Sequence, residues 1–231
     1  MKTYWNDFLN LFFPNLCKLC KIPLIEGEKH ICIACLIDLP RTGFSEEYGV
    51  LPALQLAVPR ESIGRTVAFL VYEKGGKVQH LVHSFKYYGN TKLAFGLGRQ
   101  AAVEWLNAET DFPEIDVIIP IPLYKWRQRK RGYNQSEWIA KGINSVLNKE
   151  LNTTAVQRLH HMESQTHKIF FERWLNVKDK FAVTDEALLE KKHILLVDDV
   201  ITSGATMNAC LEVVKNIPGI KISIFSLSIV K

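Results

Sequence analysis

The stretch His193-Ile-Leu-Leu-Val-Asp-Asp-Val-Ile-Thr-Ser-Gly-Ala-Thr206 contains the pattern that decides the fold of this chain. Its apolar run, residues 194–197, is typical of a β-strand that is covered on both faces. Two carboxylates and then a run of small and hydroxyl residues follow. Residues 207–215 have the spacing of an amphipathic helix, and unpaired N–H groups at a helix N-terminus favour an anion. The stretch therefore predicts a strand that leads into a phosphate-binding turn.

The two carboxylates, Asp198 and Asp199, cannot bind a phosphate themselves, because an ionised carboxylate accepts hydrogen bonds and has none to donate. They suit a polyhydroxylated group next to the phosphate, or a metal ion carried with it. The alternative is a cluster of helix caps after an ordinary strand, since Thr and Ser cap helices and Asp is common in turns. Capping alone does not require two adjacent acids between a buried strand and a glycine turn, so the binding interpretation is favoured.

Composition indicates a folded protein with one main domain. The 231 residues have room for that domain and a small appendage, and 47% hydrophobic content is enough for a buried core. The formal net charge of +5 fits a protein that handles phosphates and equally one that contacts nucleic acid. No run approaches the roughly 20 apolar residues of a membrane span, and the N-terminus lacks the zones of a signal peptide. We therefore expect a cytoplasmic protein without membrane insertion.

Four of the five cysteines form two Cys-x-x-Cys pairs near the N-terminus, at Cys17, Cys20, Cys32 and Cys35. Two such pairs complete a tetrahedral four-thiolate zinc site, which stabilises a segment too short for its own core. Disulfides are disfavoured in a reducing compartment, and a redox motif does not need duplication. We expect structural zinc, because four protein thiolates leave no position for a substrate. Cys210 is expected to be a small buried hydrophobe.

The order of predicted elements favours an α/β domain with a mainly parallel sheet flanked by helices. Strands are predicted at residues 65–72, 116–122, 155–159, 193–197 and 220–229, and helices from residue 78 and over residues 93–106, 136–146 and 207–215. The chain divides into an N-terminal helix with the zinc finger (1–40), a connector rich in Pro and Gly (41–62) and the main domain (63–231). The strongly apolar helix at residues 4–14 either docks on the main domain or forms a surface for a partner or a second copy.

A loop with five cations is predicted after the strand at residues 116–122, and these cations are Lys125, Arg127, Arg129, Lys130 and Arg131. The loop could clamp a pyrophosphate, follow a nucleic-acid backbone or be a solvated charged turn. Ligands of open α/β sheets lie at the carboxyl ends of strands, which favours the pyrophosphate interpretation. Tyr124, Trp126 and Tyr133 interleave with the cations, as in proteins that grip single-stranded nucleic acid, so that interpretation stays open.

The motifs, taken in order, resemble the ComF family of bacterial phosphoribosyltransferase-like proteins, which are linked to natural competence and DNA uptake. The resemblance rests on the four-cysteine finger, Phe85-Lys86-Tyr87 before Gly89, Ile119-Pro-Ile-Pro122, the Arg-rich segment ending in residues 131–135, Ser164-Gln-Thr166 and the 197–206 run. The 197–206 run is similar to the phosphoribosyl pyrophosphate (PRPP) motif of type I phosphoribosyltransferases, and its combination with the finger and basic segment marks ComF. The resemblance covers nearly the whole chain and implies a type I phosphoribosyltransferase fold.

The resemblance also implies a role for each part of the site, with Mg²⁺ bound together with PRPP. The ribose hydroxyls would be bound by Asp198 and Asp199, and the 5-phosphate by Thr202, Ser203, Gly204, Ala205 and Thr206. The pyrophosphate would be bound by Pro122, Lys125, Arg127, Arg129, Arg131 and Gln135. A mobile loop over residues 160–181 would close over PRPP through Ser164, Gln165, Thr166, Lys168 and Arg173.

Two departures from related patterns limit these expectations. His160 and His161 stand where the ComF pattern is richer in arginine, just before the Ser-Gln-Thr element. Thr202 stands where oxopurine phosphoribosyltransferases carry an acid that handles the purine N7 proton. The second departure argues against a role in purine salvage, and no stretch of sequence identifies a pocket for another acceptor.

Two functions therefore remain at the level of sequence. The first is a magnesium-dependent phosphoribosyltransferase with an unidentified acceptor. The second is a non-catalytic competence accessory protein that binds single-stranded DNA, or competence and DNA-processing proteins, through the finger and the basic loop. Fold alone does not separate a catalytic from a binding role.

Overall fold

The computed structural model describes residues 14–44, 60–110, 112–159 and 181–230. Its α-helices are α1 (Ile33–Ile37), α2 (Lys77–Tyr87), α3 (Thr91–Ala108), α4 (Lys125–Arg131), α5 (Gln135–Leu147) and α6 (Ala205–Val214). Its strands are β1 (Ile63–Tyr72), β2 (Val117–Pro120), β3 (Glu150–Leu151), β4 (Val156–Arg158), β5 (Phe181–Val183), β6 (His193–Ile201) and β7 (Lys221–Val230). Short 3₁₀ helices lie at Arg60–Ser62 and Glu186–Leu188.

Within the described residues, the main sheet has five strands in the order β1-β7-β6-β2-β3, and every pair of neighbours is parallel. From β6 the chain continues through α6 to β7 on one side, whereas from β2 it continues through α4 and α5 to β3 on the other. Strands β2 and β6 are therefore neighbours whose connections leave in opposite directions. Such a switch point opens a crevice at the carboxyl ends of the two strands, which is where open α/β sheets bind their ligands.

The two faces of β6 are buried in two different hydrophobic clusters. Ile194 and Leu196 pack with residues of α6, whereas Leu195 and Val197 pack with residues of α2, α3 and α5. Alternate side chains of a strand point to opposite faces, so the continuous apolar run meets helices on both sides. The predicted mainly parallel sheet with flanking helices is confirmed.

Helices α3 and α5 approach each other through glycine. A Cβ atom at Gly98 would collide with the Ile139 carbonyl oxygen, and one at Gly142 would collide with the Phe95 carbonyl oxygen. Both obstacles are backbone atoms, which cannot move aside as the end of a side chain can. The two glycines thus set the close helix packing that covers one face of the sheet.

The segment that follows α1 pairs with the free edge of β1. The amide of Thr42 donates to the Phe69 carbonyl at 3.1 Å, and the amide of Val71 donates to the Pro40 carbonyl at 2.9 Å. Arg41 also forms two hydrogen bonds with Glu104 of α3, at 2.8 and 2.9 Å. These contacts cover an edge that would otherwise expose unpaired backbone groups, and they attach the cysteine-rich segment to the sheet.

The structure corrects four details of the predicted elements. The five-cation segment is the helix α4 rather than a loop, because Lys, Arg and Gln are good helix formers and Gly132 ends the helix in a left-handed conformation, with φ of 81°. Strand β6 continues through both aspartates to Ile201 instead of turning before them. Strand β4 pairs antiparallel with β5 in a separate two-stranded sheet, and the edge strand β3 was not predicted.

Several predictions lie outside the described residues. These are the apolar helix at residues 4–14 apart from Pro14, most of the connector (residues 45–59) and the predicted mobile loop apart from Phe181. None of the helices in the described part of the chain has the length and hydropathy of a membrane span.

Candidate functional site

A cavity of ≈ 410 Å³ lies at the switch point, where β2 and β6 end. Small-molecule sites in proteins are typically about 300–1,000 Å³ in volume. The predicted site residues that line this cavity are Pro122, Arg127, Arg131, Gln135, Asp198, Asp199, Thr202 and Thr206. We call it the switch-point cavity. The parallel topology thus brings together residues that are far apart in the sequence.

Asp198 is the more buried of the two carboxylates, with 8% of its surface exposed. Its Oδ1 accepts hydrogen bonds from the Ser136 hydroxyl at 3.1 Å and from the Asp199 amide at 2.8 Å. Burial raises the pKa of Asp198 to about 7, and the negative charge of Asp199 adds to the rise, although the hydrogen bonds and Lys86 oppose it. Without a ligand this carboxyl therefore titrates near neutral pH.

Asp199 forms an ion pair with Lys86, whose Nζ lies 2.9 Å from the Asp199 Oδ2. Lys86 stands in the last turn of α2 and lines the cavity. The sequence drew attention to the Phe85-Lys86-Tyr87 motif without indicating a role for the lysine. The tertiary structure places a cation in direct contact with the second carboxylate, about 110 positions away in the chain.

The predicted phosphate-binding turn lies between β6 and α6. Gly204 precedes the first residue of α6 with φ of 72°, a left-handed value that only glycine adopts at little cost. Thr202 and Thr206 line the cavity, whereas Ser203, Gly204 and Ala205 contribute the backbone of the turn and the start of the helix. The N–H groups of a ten-residue helix therefore begin at the edge of the cavity.

The lysine and arginine side chains predicted to bind pyrophosphate lie on different faces of helix α4, since successive residues of an α-helix turn by about 100°. Arg127 and Arg131 are four positions apart and both line the cavity. Lys125 and Arg129 are exposed and do not line it. The predicted pyrophosphate set is therefore brought together only in part.

The start of α5 is fixed to the end of β2 by Asn134. Its side-chain oxygen accepts from the Ser136 amide at 3.2 Å, and its side-chain nitrogen donates to the Ile121 carbonyl at 3.0 Å. This cap holds Gln135 at the cavity, where its Oε1 accepts from Arg131 Nη1 at 3.1 Å. The Gln135 Nε2 is buried and has no hydrogen-bond partner among the described residues. A donor without a partner at a cavity wall is suited to an acceptor on a ligand.

Arg158 of β4 is a further cation in the cavity wall that the sequence did not single out. Its guanidinium lies 3.8 Å from the Tyr124 ring centre and 5.0 Å from that of Phe181. The described lining has four lysine or arginine side chains, from Lys86, Arg127, Arg131 and Arg158, and two carboxylates. The cavity is therefore suited to a ligand with several negative charges.

The four N-terminal cysteines form one cluster in the structure. Their sulfur atoms all lie within 4.8 Å of one another, and the Cys20 and Cys32 sulfurs are 3.6 Å apart. Sulfurs bound tetrahedrally to one zinc, at about 2.3 Å each, are separated by about 3.8 Å. The amides of Cys32 and Cys35 donate to the sulfurs of Cys17 and Cys32, both at 3.4 Å. The donor set and spacing fit a single metal ion.

Within the cluster, the pKa values of Cys17 and Cys35 are shifted in opposite directions. Burial acts to raise the pKa of Cys17, but hydrogen bonds from backbone amides outweigh it and lower the pKa to about 6. Burial raises the pKa of Cys35 to about 12, and the neighbouring thiols raise it further. Four thiolates this close repel one another unless a metal ion balances their charge. Cys210 lies outside the cluster and is fully buried, as predicted.

Comparison with known protein sequences finds one domain family and several relatives. Residues 134–227 match the phosphoribosyl transferase domain. The chain is 28% identical over 209 residues to DNA utilization protein YhgH of Shigella flexneri, which covers 85% of this chain and 89% of that protein. It is 30% identical over 114 residues to Competence protein F of Haemophilus influenzae, with 49% and 50% covered. It is 28% identical over 140 residues to Competence protein ComFC of Bacillus subtilis, with 60% and 53% covered.

Among solved structures, the chain is similar to one described as the allosteric regulatory enzyme of purine biosynthesis, with a TM-score of 0.45 and 14% identity. The matched region covers 63% of this chain and 30% of that one. The parallel sheet, the glycine turn before α6 and the domain match together define a type I phosphoribosyltransferase fold. The four-cysteine cluster and the relatives above support the resemblance to the ComF family.

Proposed function

We propose that the chain binds Mg²⁺-PRPP in the switch-point cavity and transfers its phosphoribosyl group to a nitrogen acceptor. The observation that carries the proposal is a convergence of three features on one cavity: the paired carboxylates of β6, the turn before α6 and the arginines of α4. Their chemistry matches the ribose, the 5-phosphate and the pyrophosphate of one substrate. The positive balance of the lining supports a polyanionic ligand.

The ribose and the 5-phosphate are assigned to neighbouring parts of the motif. Asp199 accepts hydrogen bonds from the ribose hydroxyls, and Asp198 supports it from its buried position against Ser136. The turn from Thr202 to Thr206 binds the 5-phosphate through backbone N–H groups and hydroxyls, and the α6 dipole favours the negative charge. A β-carbon is absent at Gly204, which lets the backbone approach the phosphate closely.

The pyrophosphate is assigned to Arg127, Arg131 and Gln135, because these three of the predicted side chains reach the cavity together with Pro122. Arginine matches phosphate oxygens with paired donors, and the unpartnered Gln135 Nε2 adds a neutral one. Lys125 and Arg129 are left out of this assignment, since α4 carries them outside the lining. The predicted loop residues Ser164, Gln165, Thr166, Lys168 and Arg173 remain part of the proposal as a cover that excludes water.

The transfer step needs no protein nucleophile. The lone pair of the acceptor nitrogen forms a bond to ribose C1 while the bond from C1 to the pyrophosphate oxygen breaks, and pyrophosphate leaves with that electron pair as the nitrogen loses a proton. Positive charge from the two α4 arginines stabilises the leaving group, and the carboxylates hold the ribose in place. Mg²⁺ would be bound by substrate oxygens with Asp198 or Asp199, and it would supply further neutralisation of the pyrophosphate.

We assign zinc to the four-cysteine cluster as a structural ion. Tetrahedral coordination by four thiolates leaves no open position for catalysis. The cluster is attached to the sheet through the pairing of residues 40–42 with β1. The ion would therefore stabilise both the finger and its position beside the main sheet.

Calorimetric titration with Mg²⁺-PRPP tests the proposal. We expect saturable binding by the wild-type chain and a loss of affinity of about tenfold or more in Asp199→Asn, because a hydrogen bond to a charged group is worth about 1.5–3 kcal/mol. Glu190→Gln is the matched control, since it removes an exposed carboxylate away from the cavity lining. Absence of PRPP binding by the wild-type chain would refute the proposal.

A second candidate function is the binding of single-stranded DNA, and one of the relatives is named a DNA utilization protein. The supporting observation is that Lys125 and Arg129 are exposed beside Trp126, which is 53% exposed. Neutralising both cations should weaken binding of an oligothymidylate and reduce its salt dependence, while Mg²⁺-PRPP binding is unchanged. Unaltered affinity and salt dependence would contradict a DNA role for this face of α4.

A further inference from the structure

A second cavity of ≈ 400 Å³ lies beside the switch-point cavity. Lys86, Tyr87, Arg127 and Arg131 line both, so the two spaces are separated by shared side chains. The other residues that line the second cavity have no role in the proposed PRPP site, and these are Gly89, Trp126, Lys130 and Tyr133. Its walls include Trp126 and Lys130 of α4, which are four positions apart on a different face from Arg127 and Arg131.

The aromatic part of this wall is held in place by contacts with cations and backbone. The Tyr133 hydroxyl donates to the Phe85 carbonyl at 2.6 Å. The Arg127 guanidinium lies 5.2 Å from the Trp126 ring centre, and that of Arg131 lies 5.4 Å from the Tyr87 ring centre. Yet Trp126 is 53% exposed and Tyr87 is 64% exposed. Each residue therefore has a guanidinium over its ring and more than half of its surface exposed to solvent, where a ligand ring could contact it.

The charge of the lining is entirely positive among the described residues. Lysine and arginine supply four of the side chains, and no aspartate or glutamate borders the cavity. Lys86 is paired with Asp199, and Arg127 and Arg131 are assigned to the pyrophosphate, so Lys130 is the cation best placed for an added negative charge. A ligand that satisfies both the aromatic and the cationic groups is a planar ring that carries an acidic group.

We propose that this second cavity is a binding site for a small aromatic anion. The ring contacts Trp126 and Tyr87, and the acidic group pairs with Lys130, which lines this cavity and not the switch-point cavity. A volume of ≈ 400 Å³ suits a ligand of one or two rings, whereas a nucleic-acid strand needs a continuous groove. The site does not depend on the chemistry proposed for the switch-point cavity, although the shared side chains make the two neighbours.

Fluorescence titration of the purified full chain with 2-aminobenzoate and 2-aminobenzamide tests the proposal, because the two fluorescent probes share ring and shape and differ in charge. We expect 2-aminobenzoate to bind about tenfold more tightly, as charge-assisted hydrogen bonds predict. Lys130→Gln should remove most of that difference, and Trp126→Ala should weaken both probes. Arg129→Gln, on the same helix but outside the cavity, should change neither.

Calorimetry with Mg²⁺-PRPP separates this proposal from the preceding one. The Lys130→Gln variant should bind PRPP as tightly as the wild type does. The Thr206→Val variant should bind PRPP more weakly and should still bind 2-aminobenzoate. Equal affinities for the two probes, or equal effects of Lys130→Gln and Arg129→Gln, would overturn the second site even if PRPP binds. An oligothymidylate that binds through Trp126 and Lys130 while 2-aminobenzoate does not bind would also overturn it, in favour of a nucleic-acid groove.

Discussion

The buried carboxyl of Asp198 should make the stability of the ligand-free protein depend on pH. Burial, assisted by the negative charge of Asp199, raises its pKa from 3.8 to about 7. In the unfolded chain the same carboxyl ionises near its ordinary pKa, so the folded state binds an extra proton between these two values. The contribution of Asp198 to the unfolding free energy is therefore fully present below pH 3.8 and is lost as the pH rises to about 7. A gap of about three units corresponds to ~4 kcal/mol of unfolding free energy.

Asp198→Asn removes the charge and keeps the size of the side chain. The amide oxygen still accepts from the Ser136 hydroxyl and the Asp199 amide. We expect the variant to be more stable than the wild type at about pH 8, and its advantage to be smaller by ~2 kcal/mol at about pH 5.5, where the wild-type carboxyl is already protonated in the folded state. Other titrating groups, including His193, are common to both chains, so they largely cancel in the difference.

Urea unfolding followed by circular dichroism at both pH values, without added Mg²⁺ or phosphate, measures this difference. Asp199→Asn provides a second arm, because loss of the neighbouring charge should lower the pKa of Asp198 and flatten the pH dependence that this carboxyl contributes. A difference between Asp198→Asn and wild type that is the same at both pH values would refute the reasoning. Lower stability of Asp198→Asn at about pH 8 would refute it as well.

Two further predictions concern the packing and the finger. Gly142→Ala should lower the unfolding free energy by roughly 1–3 kcal/mol, because its methyl group would collide with the Phe95 carbonyl. Gly96→Ala on α3 is the control and should stabilise the protein slightly, since a Cβ atom there has no neighbour within 4 Å. Chemical denaturation measures both effects. Cys35→Ser should reduce the bound zinc well below one ion per chain, measured by elemental analysis, and lower the melting temperature, while Cys210→Ala keeps the zinc. Zinc content unchanged in Cys35→Ser would contradict the four-cysteine site.

Much of the fold was predictable because its patterns are local. The apolar run before Asp198 predicted a strand covered on both faces, and the structure buries alternate residues of that run in two clusters. The cysteine spacing predicted a common cluster, and the four sulfurs lie together. In both cases the information sits within a few tens of residues, so no knowledge of distant contacts was needed.

The site was predictable only in part, because side chains from distant elements meet at the switch point. Lys86 reaches Asp199 from α2, and Arg158 reaches the same cavity from a small separate sheet. Neither position has a local pattern that indicates its partner. The basic segment was also predicted only in part. Its composition gave five cations, but it did not indicate the helix that places them on different faces. For that reason Lys125 and Arg129 lie outside the cavity lining.

By itself, the sequence determined most of the helices and strands of the main sheet, the paired carboxylates, the glycine turn and the cysteine cluster, because each depends on residues close together in the chain. Only the tertiary structure decided the strand order, the pairing of Asp199 with Lys86 and which of the α4 cations line a cavity. The physical reason is that side-chain proximity across a parallel sheet is set by crossover connections and helix packing, which join residues that no local pattern relates.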